Sequence, residues 1–83
     1  MRKLTLIKRS APNCPACNMM QAALEGEGIP YETIDITTNP DAIDAYNLTG
    51  VPVLLIEDDA GEHIRLTGFQ PVEHIAELLK GDE

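Results

Sequence analysis

Segments patterned for strands alternate with segments patterned for helices along this sequence, and that alternation decides the fold class. "KLTLI" (residues 3–7) is short, apolar and partly β-branched, with charge on both sides, which predicts a buried strand. From Pro15 the period changes. Ala16, Met19, Met20, Ala23 and Leu24 recur at helical spacing, Pro15 suits a first helical turn, and Gly26 and Gly28 supply a stop. "YETIDI" (31–36) alternates as a strand does. "TTNPDAIDAYNLTG" (37–50) predicts a second helix, with Asn39 as candidate N-cap, Pro40 and Asp41 in the first turn and Gly50 beyond the end. "PVLLIE" and "HIRL" flank the Asp- and Gly-rich "DDAG", the pattern of an antiparallel hairpin. A last helix has Pro71 near its start and Ile75, Leu78 and Leu79 on one face.

The order β-α-β-α-β-β-α predicts an α/β fold. The first two strands, joined by a helix, should be parallel with a right-handed crossover, and the long connections among strands one to three leave room for such crossovers. The expected product is a four-stranded mixed sheet with helices on both faces. With 83 residues the chain is read as a single domain over 1–83, burying only about 60% of its unfolded surface, so the core must be compact. Hydrophobic residues make up 43% and charged residues 24%, which argues for order and solubility. The longest apolar run, Val51 to Ile56, is broken by Pro52 and too short to cross a bilayer, and "MRKLTLIKRS" lacks the features of a secretory signal. No membrane association and a cytoplasmic location are expected.

A net charge of -8 argues against nucleic acid as partner, because that binding relies on Lys and Arg neutralising phosphates. Four of the basic residues, Arg2, Lys3, Lys8 and Arg9, nevertheless fall in the first nine positions, so the segment leading to Cys14 is locally positive.

Both cysteines lie in "SAPNCPACNMM" (10–20), just past the first strand and at the start of the first helix, where α/β proteins place their chemistry. A thiol reacts as thiolate, and at a pKa of about 8.5 only about 3% is ionised at neutral pH. The partial positive charge and outward N–H groups of a helix N-terminus stabilise an anion, and Lys8 or Arg9 could add to this. Bringing the pKa to about 7 takes about 2 kcal/mol, within reach of these contributions together. The spacing assigns roles. Cys14, at the helix tip and exposed, would attack a substrate disulfide; Cys17, a turn along and more covered, would resolve the mixed disulfide. The two sulfurs can meet on the first turn.

Competing readings are weaker. A zinc site would need a second pair, and His63 and His74 match no common ligand spacing. A structural disulfide closing so short a loop would restrain the unfolded chain little, and a reducing compartment would open it. His63, in a polar strand, and His74, on the last helix, read as surface residues, and Met19 and Met20 as core filler.

"CPAC" at the head of the first helix, "TGVPV" before the third strand and "LTGFQP" after the fourth together resemble the glutaredoxin group of the thioredoxin superfamily, across almost the whole chain. The resemblance implies that Pro52 is a cis proline beside the dithiol and that Val51 offers its backbone to an extended substrate. X-Pro bonds lose most of the trans preference, so a cis bond is physically accessible. "TGFQP" (67–71) is similar to the "SGFRP" element of NrdH-type redoxins, placing Thr67, Gly68 and Phe69 at the substrate. Those redoxins take electrons from thioredoxin reductase and supply ribonucleotide reductase. The Gly-Gly-Cys or Gly-Gly-x-Asp stretch with which glutaredoxins hold glutathione is absent. Gln70 stands where Arg is usual, Leu66 where Trp is usual, and Ala11 where these proteins commonly carry Lys. The nearest lysine, Lys8, is the candidate thiolate-stabilising cation, reached through the "RSAPN" loop.

The resulting expectation is a monomeric dithiol–disulfide oxidoreductase without a tightly bound cofactor. It would cycle through a Cys14–Cys17 disulfide, with a protein disulfide as acceptor and thioredoxin reductase as the favoured donor over glutathione. A different class of function, carriage of an iron-sulfur cluster shared between two chains, is disfavoured by the intact pair and Pro15, because carriers of this type usually have one cysteine in a Gly-Phe-Ser type site.

Overall fold

The computed structural model describes residues 2–61 and 63–80; the surface position expected for the His63 side chain lies outside the described residues. The elements run β1 (Lys3–Lys8), α1 (Pro15–Gly26), β2 (Glu32–Asp35), α2 (Asp41–Ala45), β3 (Val53–Glu57), β4 (His63–Thr67) and α3 (Val72–Lys80). The strands form one four-stranded mixed sheet, as expected, and the structure sets their order as β2-β1-β3-β4. β1 and β2 are parallel, with Thr5 opposite Glu32 and Lys8 opposite Asp35. The room for a second parallel crossover is not used that way: β3 runs antiparallel to β1, Ile7 facing Val53 and Lys3 facing Glu57. The chain between β2 and β3 spends its length on the short α2 and the turns after it, and returns to the sheet on the far side of β1.

β1 and β3, the two central strands, are apolar on both faces because both faces are covered. On one side Leu4, Leu6, Leu54 and Ile56 pack with Met20 and Leu24 of α1 and Ile75 of α3. On the other, Ile7, Val53 and Leu55 lie under Tyr46, Leu48 and Val51, from the segment following α2. Within α1 the stripe facing the sheet is Cys17, Met20 and Leu24, spaced i, i+3, i+7. Met19 is not core filler as expected. One residue from Met20 is about 100° of rotation on the helix, and Met19 points outward with 59% of its surface exposed.

α2 is also shorter than its sequence suggested. Its N-cap is Pro40, with no side-chain capping bond, so Asn39 contributes only its carbonyl, which accepts the Ala42 N–H at 3.2 Å. It stops at Ala45, well before Gly50, because Asn47 takes a left-handed conformation (φ 53°) and Leu48 N–H bonds back to Ile43 O.

These directions gather one end of the sheet. The C-terminal ends of β1, β2 and β4 and the N-terminal end of β3 coincide there, through the pairs Lys8–Asp35, Ile7–Val53 and Val53–Thr67. The loop to Cys14, the Val51–Pro52 step and the Thr67–Phe69 segment all leave the sheet at that end.

Candidate active site

Cys14 occupies the N-cap of α1 in an extended conformation (φ -125°, ψ 93°), followed by Pro15 in the first turn. A helix N-terminus leaves its first N–H groups without intrahelical partners. Here the Cys14 sulfur takes the role usually played by a Ser or Asp oxygen: the Cys17 N–H donates to Cys14 Sγ at 3.2 Å, while the Cys14 carbonyl accepts from Asn18 N–H at 3.0 Å. The first turn carries no acidic residue to cancel the positive end of the helix. The two sulfurs are joined as a disulfide, with Cα atoms 5.2 Å apart. Cys14 retains 4% exposure and Cys17 none. The expected order of exposure is present, but Cys14 is buried rather than open, because its sulfur folds back over the helix end onto Cys17.

The Val51–Pro52 bond is cis and Pro52 is fully buried. Its carbonyl accepts the Gly68 N–H at 2.8 Å, which ties the segment before β3 to the segment after β4. Gly68 adopts φ +85°, a conformation that costs a residue with a Cβ. Val51 is half-buried, and among the described residues no hydrogen bond engages its backbone. Thr67 accepts the Gln70 side-chain amide on its carbonyl at 3.1 Å, and the Gln70 N–H donates to the buried Met20 sulfur at 3.5 Å. Phe69 stands out into solvent with 45% exposure.

Lys8 does not lie over the dithiol. Its ammonium donates to Gln21 Oε1 at 3.2 Å, two turns along α1 from Cys14, because a side chain leaving the last position of β1 meets the flank of the packed helix before its tip. Arg9 is the cation engaged near the site: Nε donates to Pro12 O at 3.0 Å and Nη2 to Asn13 O at 3.3 Å. The loop between β1 and α1, which includes a second cis bond at Ala11–Pro12, has further partners that the sequence did not reveal. Ser10 N–H donates to Asp35 Oδ1 and to Thr37 Oγ1, and Ala11 both donates to and accepts from the Thr37 hydroxyl. The only local signal was the Asp-x-Thr spacing at the end of a strand, which makes an Asx turn through Thr37 N–H to Asp35 Oδ1 at 2.9 Å.

Among the described residues no group of three or more His, Cys, Asp or Glu side chains could hold a metal ion, and no helix is long and apolar enough to cross a membrane.

The Glutaredoxin family model matches residues 4–64. The SPbeta prophage-derived thioredoxin-like protein YosR of Bacillus subtilis (strain 168) is 41% identical over 78 residues, spanning 93% of this chain and 96% of that protein. A thioredoxin of Staphylococcus aureus is 31% identical over 72 residues, 80% of this chain and 69% of its own length. Among solved structures, the glutaredoxin-like NrdH-redoxin of Escherichia coli, described as having a thioredoxin-like activity profile, is similar with a TM-score of 0.70 and 26% identity over 92% of this chain and 93% of that one. Chloroplastic thioredoxin z reaches 0.82 at 23% identity, covering 96% and 76%, a likeness of fold. The motifs, the paired thiols at a helix tip and the matched family model agree, and this chain belongs to the glutaredoxin family of the thioredoxin-like superfamily.

Proposed function

We propose that this protein is a dithiol–disulfide oxidoreductase that reduces protein disulfides, with Cys14 as nucleophile and Cys17 as resolving thiol. The observation that carries the reading is the Cys14–Cys17 disulfide at the start of α1, with the Cys14 sulfur accepting the Cys17 N–H. A sulfur so placed is where a thiolate is best stabilised in the reduced form. In the forward reaction the Cys14 thiolate attacks one sulfur of the substrate disulfide. The Cys14–substrate bond forms, the substrate S–S bond breaks, and the departing thiolate takes up a proton. Cys17, deprotonated, then attacks Cys14, closing the internal disulfide and releasing the second substrate thiol, so two electrons pass from the dithiol to the substrate. The uncommitted backbone of Val51, the cis Pro52 and the exposed Phe69 beside Thr67 and Gly68 form the surface for an extended substrate segment.

The donor we favour is thioredoxin reductase, with ribonucleotide reductase as a candidate acceptor, in a cytoplasmic setting where thiols are kept reduced. The "TGFQP" element supports this over glutathione; the match to the Glutaredoxin family model is the observation that favours glutathione. NADPH consumption with purified thioredoxin reductase, set against consumption with glutathione and glutathione reductase, tests the choice. Faster turnover in the first system is expected, and faster turnover in the second would reverse the donor. For the thiol roles, Cys14→Ser should abolish insulin-disulfide reduction, and Cys17→Ser should accumulate a mixed disulfide on Cys14. Reduction surviving the first substitution would overturn the assignment.

A further inference from the structure

The loop Arg9–Asn13 delivers the chain to Cys14 and lies outside every helix and strand, so its position depends on side chains that grip its backbone. Each residue from Ser10 to Asn13 is gripped. The Thr37 hydroxyl accepts Ser10 N–H at 3.1 Å and Ala11 N–H at 3.0 Å, and its own hydrogen goes to Ala11 O at 3.0 Å. Asp35 Oδ1 accepts Ser10 N–H at 3.2 Å and holds Thr37 itself through its N–H. Arg9 spans the carbonyls of Pro12 and Asn13, and Asn13 Oδ1 accepts from Asn18 Nδ2 at 3.0 Å. One hydroxyl thus uses its hydrogen and both lone pairs on a single exposed stretch of backbone, across more than twenty residues of sequence. Pro12 and Asn13 alone separate that stretch from Cys14.

We infer that Thr37, at the end of β2, is a positioning residue for the dithiol: by clamping Ser10 and Ala11 it sets where Cys14 meets the N-terminus of α1. The reason this matters chemically is that the stabilisation an anion gains from a helix end falls away within the first turn. A loop free to shift carries the sulfur out of line with the Cys17 N–H, and less thiolate is present at neutral pH. Thr37 touches neither sulfur nor substrate and acts only through the loop. The role rests on the oxidoreductase reading for its biological meaning, but not for its measurement.

The test follows the pH dependence of Cys14 alkylation by iodoacetamide in the reduced protein, with the modified residue located by mass spectrometry, alongside kcat/KM for insulin-disulfide reduction. Thr37→Val removes the hydroxyl and keeps the shape. It should move the alkylation midpoint to higher pH, slow alkylation at neutral pH by about threefold or more, and lower kcat/KM in parallel. Thr37→Ser, which retains the hydroxyl, should restore both. Thr37 is exposed, so the substitution has room; Thr37→Ala gives the same readout should valine crowd the turn. A pH profile superimposable on that of the wild type would overturn the proposal, whatever happens to the melting temperature. If the wild type itself reduced no disulfide, the functional reading would fail, while the alkylation profiles would still decide the clamp.

Discussion

Asp35 is the ionisable member of the grip on the active-site loop. Hydrogen bonds from Ser10, the larger contribution, and from the Thr37 N–H hold its carboxyl below the ordinary value of 3.8, against a smaller opposing effect of desolvation. Because its folded pKa lies below its unfolded one, the stabilisation is fully present above the unfolded value and disappears as pH falls through the folded one. The melting temperature should therefore drop on acidification below about pH 4, and Asp35→Asn should flatten part of that acid limb. An unchanged acid limb in Asp35→Asn would show that the carboxylate contributes nothing to the folded loop. Residues of this kind were hidden in the sequence, whereas Cys14, Cys17 and Pro52 were legible. The cysteines declare themselves by a spacing within one helical turn, and Pro52 by the family resemblance of "TGVPV", which implied the cis bond at Val51–Pro52. Thr37 and Asp35 act on partners more than twenty positions away, and the Asp-x-Thr spacing marks only their own turn, not that contact. Lys8 shows the converse: its charge was visible, but the direction of a long flexible side chain is chosen by the helix packed beside it.

At the scale of elements, the two adjacent methionines of α1 separate pattern from packing. Met20 is fully buried against Leu24, Leu54 and Ile75, while Met19 is exposed. Met20→Ala should cost about 2–5 kcal/mol in chemical denaturation, the range for emptying a core position, and Met19→Ala should stay within about 0.5 kcal/mol. Equal losses would mean that α1 is rotated about its axis from the placement described. Helical period alone admitted both neighbours to the apolar face; the choice follows the inward stripe of Cys17, Met20 and Leu24, which leaves Met19 on its outer side. The short α2 was overextended for a similar reason. Its composition suits a helix, and the left-handed Asn47 that ends it is a single-residue event within a polar stretch.

For the whole molecule, the direction of β3 shapes the candidate site, because only an antiparallel β3 brings Pro52 to the end of the sheet where β1 releases the loop to Cys14. Order and type of elements could be read from periodicity; the orientation of β3 depends on where a connection of ambiguous length closes, which is a property of the assembled sheet. The same scale governs encounter with substrate. Six basic residues against fourteen acidic ones give a field that is negative overall, and such a field attracts basic partners from a distance before any contact forms. Reduction of a disulfide peptide flanked by lysines should therefore be faster than that of its glutamate-flanked counterpart at low ionic strength, by about threefold or more. The gap should narrow as salt shortens the Debye length to about 8 Å at physiological ionic strength. A glutamate-flanked peptide reacting faster at low salt would show that Arg9 and Lys8, near the reactive end, outweigh the summed charge of the rest, and the steering would then belong to the site and not to the molecule.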